Sequence, residues 1–366
     1  MAQDPPWFDG FAAAFHQVDG LRLFARVGGR ADAPPLLMLH GFPQTHAMWH
    51  RVAQRLAPHF RLVLPDLRGY GDSDKPTGDP DHANYSKRRV AADLSALMRQ
   101  LDHERFFVAA HDRGARVAHR LALDHPQRVT RLSLIDIAPT LDMYAATNMD
   151  FARAYYHWFF LIQPTPLPER LIGAEPLFYL HANLGGWGSQ GLRHIEPQAL
   201  ADYERCFRAP GTIHAACEDY RASAGIDLEH DRASRAAGER IACDLLVLWG
   251  ERGVVHRQFD PLDLARAVRR HGQRPRDAGR ALHPGGTAGG DGPGTAGVLR
   301  RLRRAAIAAA RTGCHLQPIG CILPAPVVRS ETATLKLRNR AATRAVAGSR
   351  TASCAPAGTA ARATAA

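Results

Sequence analysis

The 366-residue sequence lacks several features that mark common functional classes. No apolar run reaches the length of a membrane span, and the start, MAQDPPWFDGF, lacks the charged-then-apolar pattern of a secretory signal. The six cysteines stand at irregular spacings without a CxxC pair, so neither a zinc site nor a redox pair is indicated. We therefore expect a cytoplasmic protein with free thiols, no metal site and no membrane contact.

The net charge of +12 is concentrated in an unusual C-terminal segment. Residues 285–366 are rich in Ala, Gly, Arg and Thr, and they contain no Phe, Trp or Tyr for stacking on nucleic-acid bases. Such a composition buries too little apolar surface to offset the entropy of ordering. We interpret this segment as an aberrant, disordered basic tail, and we expect no specific nucleic-acid partner.

Apolar runs and helical patterns alternate over residues 1–140, which indicates a parallel sheet covered by helices. Residues 141–240 are instead rich in aromatics, Pro and helix-like segments, and an apolar run then follows them. The predicted class is α/β, with a core in 1–140 and 241–284 and a helical cap in 141–240. Strands are expected at 36–39, 61–65, 106–110, 131–138 and 244–251, and helices at 85–101, 114–126, 151–161 and 197–207.

A nucleophile elbow, which is a sharp turn from strand to helix, is indicated at residues 110–114, Ala-His-Asp-Arg-Gly. Small residues occupy both positions that such a turn requires, Ala110 and Gly114. The central residue is Asp112, and a carboxylate suits displacement at an sp³ carbon because water can then cleave the resulting ester. The pattern predicts a nucleophilic aspartate, with a simple helix N-cap as the alternative.

Two further turns are expected to lie beside Asp112. His40-Gly41-Phe42-Pro43 follows a predicted strand, and the backbone N–H of Phe42 would form an oxyanion hole with that of Arg113. Asp136 ends the run LSLID, where it could orient a catalytic histidine or serve only as a structural turn residue.

These motifs resemble the haloacetate (fluoroacetate) dehalogenases of the α/β-hydrolase superfamily from about residue 10 to 264, most specifically in HDRGARVAHRLALDHP. The resemblance implies the α/β-hydrolase fold, a mostly parallel sheet with helices on both faces and an inserted helical cap. Related haloalkane dehalogenases and epoxide hydrolases usually have Trp after the nucleophile, where this chain has Arg113. Arg113 and Arg116 could clamp a substrate carboxylate, although Arg116 alone would be interpreted as a solvated helix residue.

The resemblance also assigns His157, Trp158 and Tyr220 to halide binding, since their N–H and O–H groups can stabilise a departing fluoride. Without it, the His-Trp pair would be interpreted as core. The implied reaction has two steps. Asp112 displaces halide from the α-carbon of a haloacetate, and a histidine oriented by Asp136 then activates the water that releases glycolate. It requires neither a metal nor an organic cofactor.

The catalytic histidine is the point at which the sequence departs from the family. The family has a Gly-His pair shortly after a Gly-Arg-Ala-Leu string, but here the string at 279–282 leads into glycines near 285–286. His283 is the nearest substitute for the base, although it lies off the pattern. Read one nucleotide later, the permitted codons of residues 287–303 can encode a final helix of the family's kind, so a frameshift would explain the tail.

Three interpretations of function stay open at this point. The first is a haloacetate dehalogenase whose partner is a small haloacid, with the oligomeric state, including a homodimer, undecided. The second is an epoxide hydrolase, which shares the aspartate nucleophile but leaves Arg113 unexplained. The third is a carboxylate-binding protein that is inactive for lack of the histidine.

Overall fold

A twisted mixed sheet forms the centre of the computed structural model, which describes residues 8–186, 191–250 and 253–259. The described part contains seven strands in the order β1-β2-β4-β3-β5-β6-β7. Only the pairs β1–β2 and β2–β4 are antiparallel, so the predicted mostly parallel sheet is confirmed. The strands are β1 Phe11–Val18, β2 Leu21–Gly29, β3 Pro35–Leu39, β4 Arg61–Pro65, β5 Phe106–His111, β6 Val129–Ile135 and β7 Asp244–Leu248.

Helices flank this sheet and account for most of the chain between β6 and β7. The helices are α1 His50–Leu56, α2 Lys87–Gln100, α3 Asp112–Asp124, α4 Thr140–Ala145, α5 Met149–Ala154, α6 His157–Phe160, α7 Leu167–Ala174, α8 Pro176–Gly186, α9 Pro197–Phe207, α10 Thr212–Ala224, α11 Ile226–Ala237 and α12 Val254–Gln258. Helices α4–α11 occupy the segment that the sequence assigns to a cap. The limits of that cap at 141 and 240 stay predictions.

The parallel strands β3–β7 are the most deeply buried part of the sheet. β3, β4, β5 and β7 have nearly continuous apolar sequences because both of their faces are covered, as expected of parallel strands between helices, whereas β6 also contains Thr130, Arg131 and Ser133. The hairpin β1–β2 was not predicted from the sequence, since most side chains of β1 are exposed and no apolar alternation marks it. Its turn at Asp19-Gly20 has a positive φ at both residues, which is the usual two-residue hairpin connection.

Three predicted elements differ from the structure, and the first is the strand predicted at 244–251, which ends at Leu248. The strand predicted at 131–138 ends at Ile135, because Asp136 adopts a left-handed φ of 58° and its N–H donates to Leu248 O at 2.7 Å. The single helix predicted at 151–161 is wrong. It is two short helices, α5 and α6, because Tyr155 has the non-helical angles φ −118° and ψ 41°.

The predicted basic tail at 285–366 lies outside the described residues, as does the end of the second core segment from residue 260. Among the residues that are described, none of the helices combines the length and apolarity needed to cross a membrane.

The junction between β5 and α3 depends on a close approach to the end of β3. The N–H of Gly114 donates to His40 O at 3.0 Å. A Cβ at Gly114 would lie 2.3 Å from that same oxygen and 2.7 Å from Leu39 Cβ, so only glycine fits without a shift of the backbone. This contact fixes the start of α3 against the turn that follows β3.

We expect Gly114→Ala to lower the free energy of unfolding by about 1–3 kcal/mol, although alanine is the better helix former, because the added methyl overlaps a backbone oxygen. Gly173→Ala in α7 is the matched control, since no atom lies within 4 Å of its added methyl. That control should raise stability by about 0.5–1 kcal/mol. Urea titration measures both changes, and equal effects of the two substitutions would contradict the packing argument.

Candidate active site

Asp112 is the first residue of α3 and follows directly on β5. Its φ is 45°, a left-handed value that aspartate tolerates better than most side chains. The N-terminus of this 13-residue helix favours a carboxylate through the helix dipole. The structure therefore places Asp112 at a strained strand-to-helix turn, as the elbow pattern predicts.

The turn after β3 lies against the Asp112 carboxylate. The backbone N–H of Phe42 donates to Asp112 Oδ2 at 3.0 Å. A Cβ at Gly41 would lie only 2.6 Å from Asp112 Cβ, so glycine permits this approach. The other predicted oxyanion donor, the N–H of Arg113, lies in the first turn of α3, where backbone N–H groups lack intrahelical acceptors.

Arg113 is completely buried, and its guanidinium is held by α10. Its Nε donates to Asp219 Oδ2 at 2.6 Å, and its Nη2 donates to Asp219 O at 2.8 Å and to Ser223 Oγ at 2.5 Å. Nη1 is buried and has no hydrogen-bond partner among the described residues. Although burial acts to lower it, the pKa of Arg113 is raised well above its ordinary value, chiefly by Asp219.

Arg116 lies one turn farther along α3 and is also buried. Its Nη1 donates to Ala138 O at 2.9 Å and to Thr140 Oγ1 at 3.2 Å, while its Nε has no partner within the described residues. The alternative of a solvated helix residue is therefore wrong for Arg116. Burial and then the neighbouring Arg113 charge lower the pKa of Arg116.

The three predicted halide ligands form one aromatic cluster that contacts the ring of Phe42, whose N–H binds Asp112. The rings of His157 and Trp158 lie 5.6 and 6.2 Å from that of Tyr220, and all three side chains are buried. Phe42 stacks on His157 at 5.8 Å and meets Tyr220 edge-on at 5.3 Å. Burial lowers the pKa of His157 to about 3, so this imidazole is neutral at physiological pH.

The two arginines contact this cluster through the faces of its rings. The Cζ atom of Arg113 lies 4.1 Å from the centre of the Tyr220 ring, and that of Arg116 lies 4.5 Å from the Trp158 ring. The hydroxyl of Tyr220 is buried without a hydrogen-bond partner in the described part of the chain. Burial and then the Asp112 charge raise the pKa of Tyr220 well above its ordinary value, so the hydroxyl keeps its proton and can donate it.

Asp136 stands at the end of β6, two strand-ends along the same sheet edge from the turn after β3. Burial raises the pKa of Asp136 to about 6. A backbone hydrogen bond from Gly250 acts in the opposite direction but does not cancel this effect. Its Oδ1 is buried and accepts no hydrogen bond from any described residue. An unsatisfied carboxylate oxygen at this edge can accept a hydrogen bond from an imidazole.

The predicted base, His283, lies outside the described residues, so its distance from Asp136 is not defined. The other predicted site residues lie in one region. Phe42 is hydrogen-bonded to Asp112, and the Asp112 charge acts on Arg116, Asp136, His157 and Tyr220. Trp158 joins them through its contacts with Arg116 and Tyr220. Within the described ranges, no group of three or more His, Cys, Asp or Glu side chains is placed to hold a metal.

Sequence reasoning missed the residues that hold Arg113. Asp219 accepts bonds from Arg113 Nε and from Tyr70 Oη, the latter at 2.9 Å, and it also accepts one from Lys87 Nζ. Burial opposes its ionisation, but Arg113 and Lys87 hold the pKa of Asp219 below its ordinary range. Its only signal in the sequence is its place directly before Tyr220. The partners lie 106 and 132 residues away, beyond any local pattern.

We expect Asp136→Asn to stabilise the protein at neutral pH. The pKa of Asp136 is higher in the folded state than in the unfolded state, so the buried charge costs stability at high pH. This cost is complete above about pH 6, and it disappears below about pH 4, where Asp136 is protonated in the folded and the unfolded protein alike. The gain in free energy of unfolding should be on the order of 1–3 kcal/mol at about pH 8 and near zero at about pH 4. Asp32→Asn, at an exposed carboxylate, is the surface control. Chemical denaturation at the two pH values measures this, and an equal change at both would contradict it.

Comparison with known proteins identifies the family of this chain. The family model described as alpha/beta hydrolase fold matches residues 34–251. The chain is 46% identical over 253 residues to a fluoroacetate dehalogenase of Burkholderia sp., covering 69% of this chain and 82% of that protein. It is 31% identical over 215 residues to a soluble epoxide hydrolase of Corynebacterium sp. (strain C12), covering 58% and 73% of the two chains.

Among solved structures, a protein of Nostoc sp. PCC 7120 that is provisionally described as an α/β hydrolase superposes with a TM-score of 0.69. It is 53% identical in sequence, and the match covers 72% of this chain and 88% of that one. This chain therefore belongs to the α/β-hydrolase family, and within it to the haloacetate dehalogenases.

Proposed function

We propose that the protein is a hydrolase that removes halide from haloacetates through an ester on Asp112. The observation that carries this proposal is the pair of buried arginines beside Asp112, each with its guanidinium over the ring of a predicted halide ligand. The cations suit the carboxylate of a haloacid, and the ring donors suit its halogen. The site thus offers a separate place for each end of a two-carbon substrate.

In the first step, an Asp112 carboxylate oxygen attacks the α-carbon of the haloacetate. A carbon–oxygen bond forms, the carbon–halogen bond breaks, and its electron pair leaves on the halide. Phe42 N–H holds Asp112 Oδ2, which leaves Oδ1 as the attacking atom. The nucleophile is thereby oriented before the substrate arrives.

The leaving halide is the species that the aromatic cluster would stabilise. Fluoride is strongly hydrated in water, so its departure into a buried site requires donors that replace this hydration. Tyr220 supplies a buried hydroxyl that has no other partner among the described residues. The guanidinium of Arg113 over its ring withdraws electron density, which makes that hydroxyl a better donor.

In the second step, water attacks the carbonyl carbon of the Asp112 ester, and a base takes its proton. Negative charge develops on the ester carbonyl oxygen, where the N–H groups of Phe42 and Arg113 would donate. Collapse of this intermediate breaks the bond between the carbonyl carbon and the glycolate oxygen, which takes the proton back from the base, and the new carboxyl group of Asp112 then ionises to regenerate the carboxylate. Asp136 has an acceptor oxygen available to orient a histidine base, for which His283 is the substitute that the chain offers.

Epoxide hydrolysis is the second candidate function, and one observation favours it. Tyr155 and Tyr220 are both buried, and both have a raised pKa to which burial and the Asp112 charge contribute, so they could donate a proton to an epoxide oxygen. A neutral epoxide, however, would leave Arg116 without an anionic partner and Arg113 Nη1 without an acceptor among the described residues, which makes this the weaker candidate. Parallel assays with styrene oxide and fluoroacetate separate the two functions.

We expect chloroacetate to leave a carboxymethyl ester on the peptide that contains Asp112, with little glycolate released. Alkylation needs only the carboxylate, whereas hydrolysis of the ester needs the histidine that is missing from its expected position. Intact mass and peptide mapping detect the adduct. Treatment with hydroxylamine distinguishes it from alkylated cysteine, since it cleaves esters and leaves thioethers intact.

Asp112→Asn is the control and should carry no such ester. Restoring the reading frame after Leu282 should recover turnover and clear the adduct. Multiple turnover by the chain as given would support dehalogenation but would show that the base is present, with His283 as the first residue to substitute. A folded protein that gives neither ester nor glycolate contradicts the proposed function.

We also expect Trp158→Phe to slow fluoride release more than chloride release, because it removes the indole N–H and keeps the aromatic packing. The loss of a hydrogen bond to an ionic leaving group corresponds to a roughly ten- to hundredfold slower release of fluoride. Halide release during the first turnover is the quantity to measure. Trp49→Phe, at a buried tryptophan of the core, is the matched control. Equal losses on both substrates would show that Trp158 only packs the cluster.

A further inference from the structure

The two arginines beside Asp112 differ in their ionic partners. Arg113 forms an ion pair with Asp219 at 2.6 Å. Arg116 donates only to the neutral oxygens of Ala138 and Thr140, and no carboxylate oxygen of a described residue lies within 4 Å of its guanidinium. The same helix therefore presents one cation held in an ion pair and one cation outside any ion pair among the described residues, whose charge acts on Asp112 and Asp136 only at longer range.

The charges behind Arg113 balance one another. Lys87 contacts Asp219 and lies 3.6 Å from Asp227, so the cluster of Arg113, Lys87, Asp219 and Asp227 contains two cations and two anions. All four side chains are buried. An electrically neutral cluster of this kind attracts an anion only through its oriented hydrogen-bond donors, since its net charge is zero.

A haloacetate must bring its carboxylate close to that of Asp112, and the two like charges repel in a site of low dielectric constant. His157 is neutral at physiological pH and offsets none of this repulsion. Tyr220 keeps its proton and is also neutral, so it offsets none of this repulsion either. Among the described residues around Asp112, Arg116 is left as the cation that can offset the second negative charge.

We propose that Arg116 selects an anionic substrate by its charge, whereas Arg113, neutralised and oriented by Asp219, contributes direction through its free Nη1. This inference rests on the proposed function. It divides a clamp of two arginines into one residue that determines charge specificity and one that positions the carboxylate, with Asp219 as a positioning residue behind it.

The test compares chloroacetate with the neutral chloroacetamide, which has the same leaving group. The quantity measured is the ratio of their second-order rate constants for alkylation of Asp112, followed by mass spectrometry. Arg116→Met should lower this ratio by about tenfold or more, while Arg116→Lys, which keeps the charge, should hold it within about threefold. Equal ratios for the Met and Lys variants would overturn the proposal.

The double variant Arg113→Met/Asp219→Asn removes the ion pair as a neutral unit. It should slow both reagents yet hold their ratio within about threefold, because the net charge of the site is unchanged. A ratio that falls as far as in Arg116→Met would also overturn the proposal. If the double variant does not fold, the comparison of Met with Lys at position 116 still decides the question, since it leaves Asp219 and its partners in place.

Binding of acetate separates this inference from the proposed reaction. Sodium acetate should raise the Tm of the full chain above its value in sodium chloride of equal ionic strength, and acetamide should not. Arg116→Met should lose this rise, and Arg116→Lys should keep it. A Tm rise with this pattern but no alkylation would contradict the reaction and support the charge assignment. A rise that persists in Arg116→Met would contradict the charge assignment alone.

Discussion

The buried ion pair between Arg113 and Asp219 is the interaction on which the site depends. Arg113 belongs to the helix that begins with Asp112, and Asp219 belongs to the helix that carries Tyr220. One guanidinium therefore joins the nucleophile to a predicted halide ligand, with three hydrogen bonds on one side and an aromatic ring on its face. A displacement of α10 would move Arg113 and Tyr220 together.

Burying so many charges opposes folding unless each charge is paired. The pairs around Asp219 meet that requirement, since the Asp219 carboxylate accepts hydrogen bonds from Lys87 and Tyr70 as well as from Arg113. Arg116 and Asp136 do not meet it, because neither forms an ion pair with a described residue, and each also has a buried polar atom with no partner in the described part of the chain. Unsatisfied buried groups of this kind cost stability and persist where a ligand or a catalytic partner completes them. Both side chains lie beside Asp112, so we attribute the stability that they cost to a role in the site.

Local patterns were sufficient to predict the α/β class and the turns around Asp112, whereas His157, Trp158 and Tyr220 were assigned only through the resemblance to the haloacetate dehalogenases. The turn residues around Asp112, the Gly41-Phe42 turn and the aspartate after β6 are marked by short motifs whose spacing reflects the strand-to-helix geometry. Asp219 could not be predicted, because its pairing with Arg113 and with Lys87 joins segments more than a hundred residues apart. The hairpin of β1 and β2 was missed for another reason. Its exposed side chains lack the alternation that identifies a half-buried strand.

A crystal structure of Asp112→Asn soaked with bromoacetate tests the account most directly, because the anomalous signal of bromine locates the halogen independently of the carboxylate. The account predicts bromine among the rings of His157, Trp158 and Tyr220, with the carboxylate on Arg113 Nη1 and Arg116 and the α-carbon facing residue 112. Bromine on the arginine side, with the carboxylate among the rings, would contradict it.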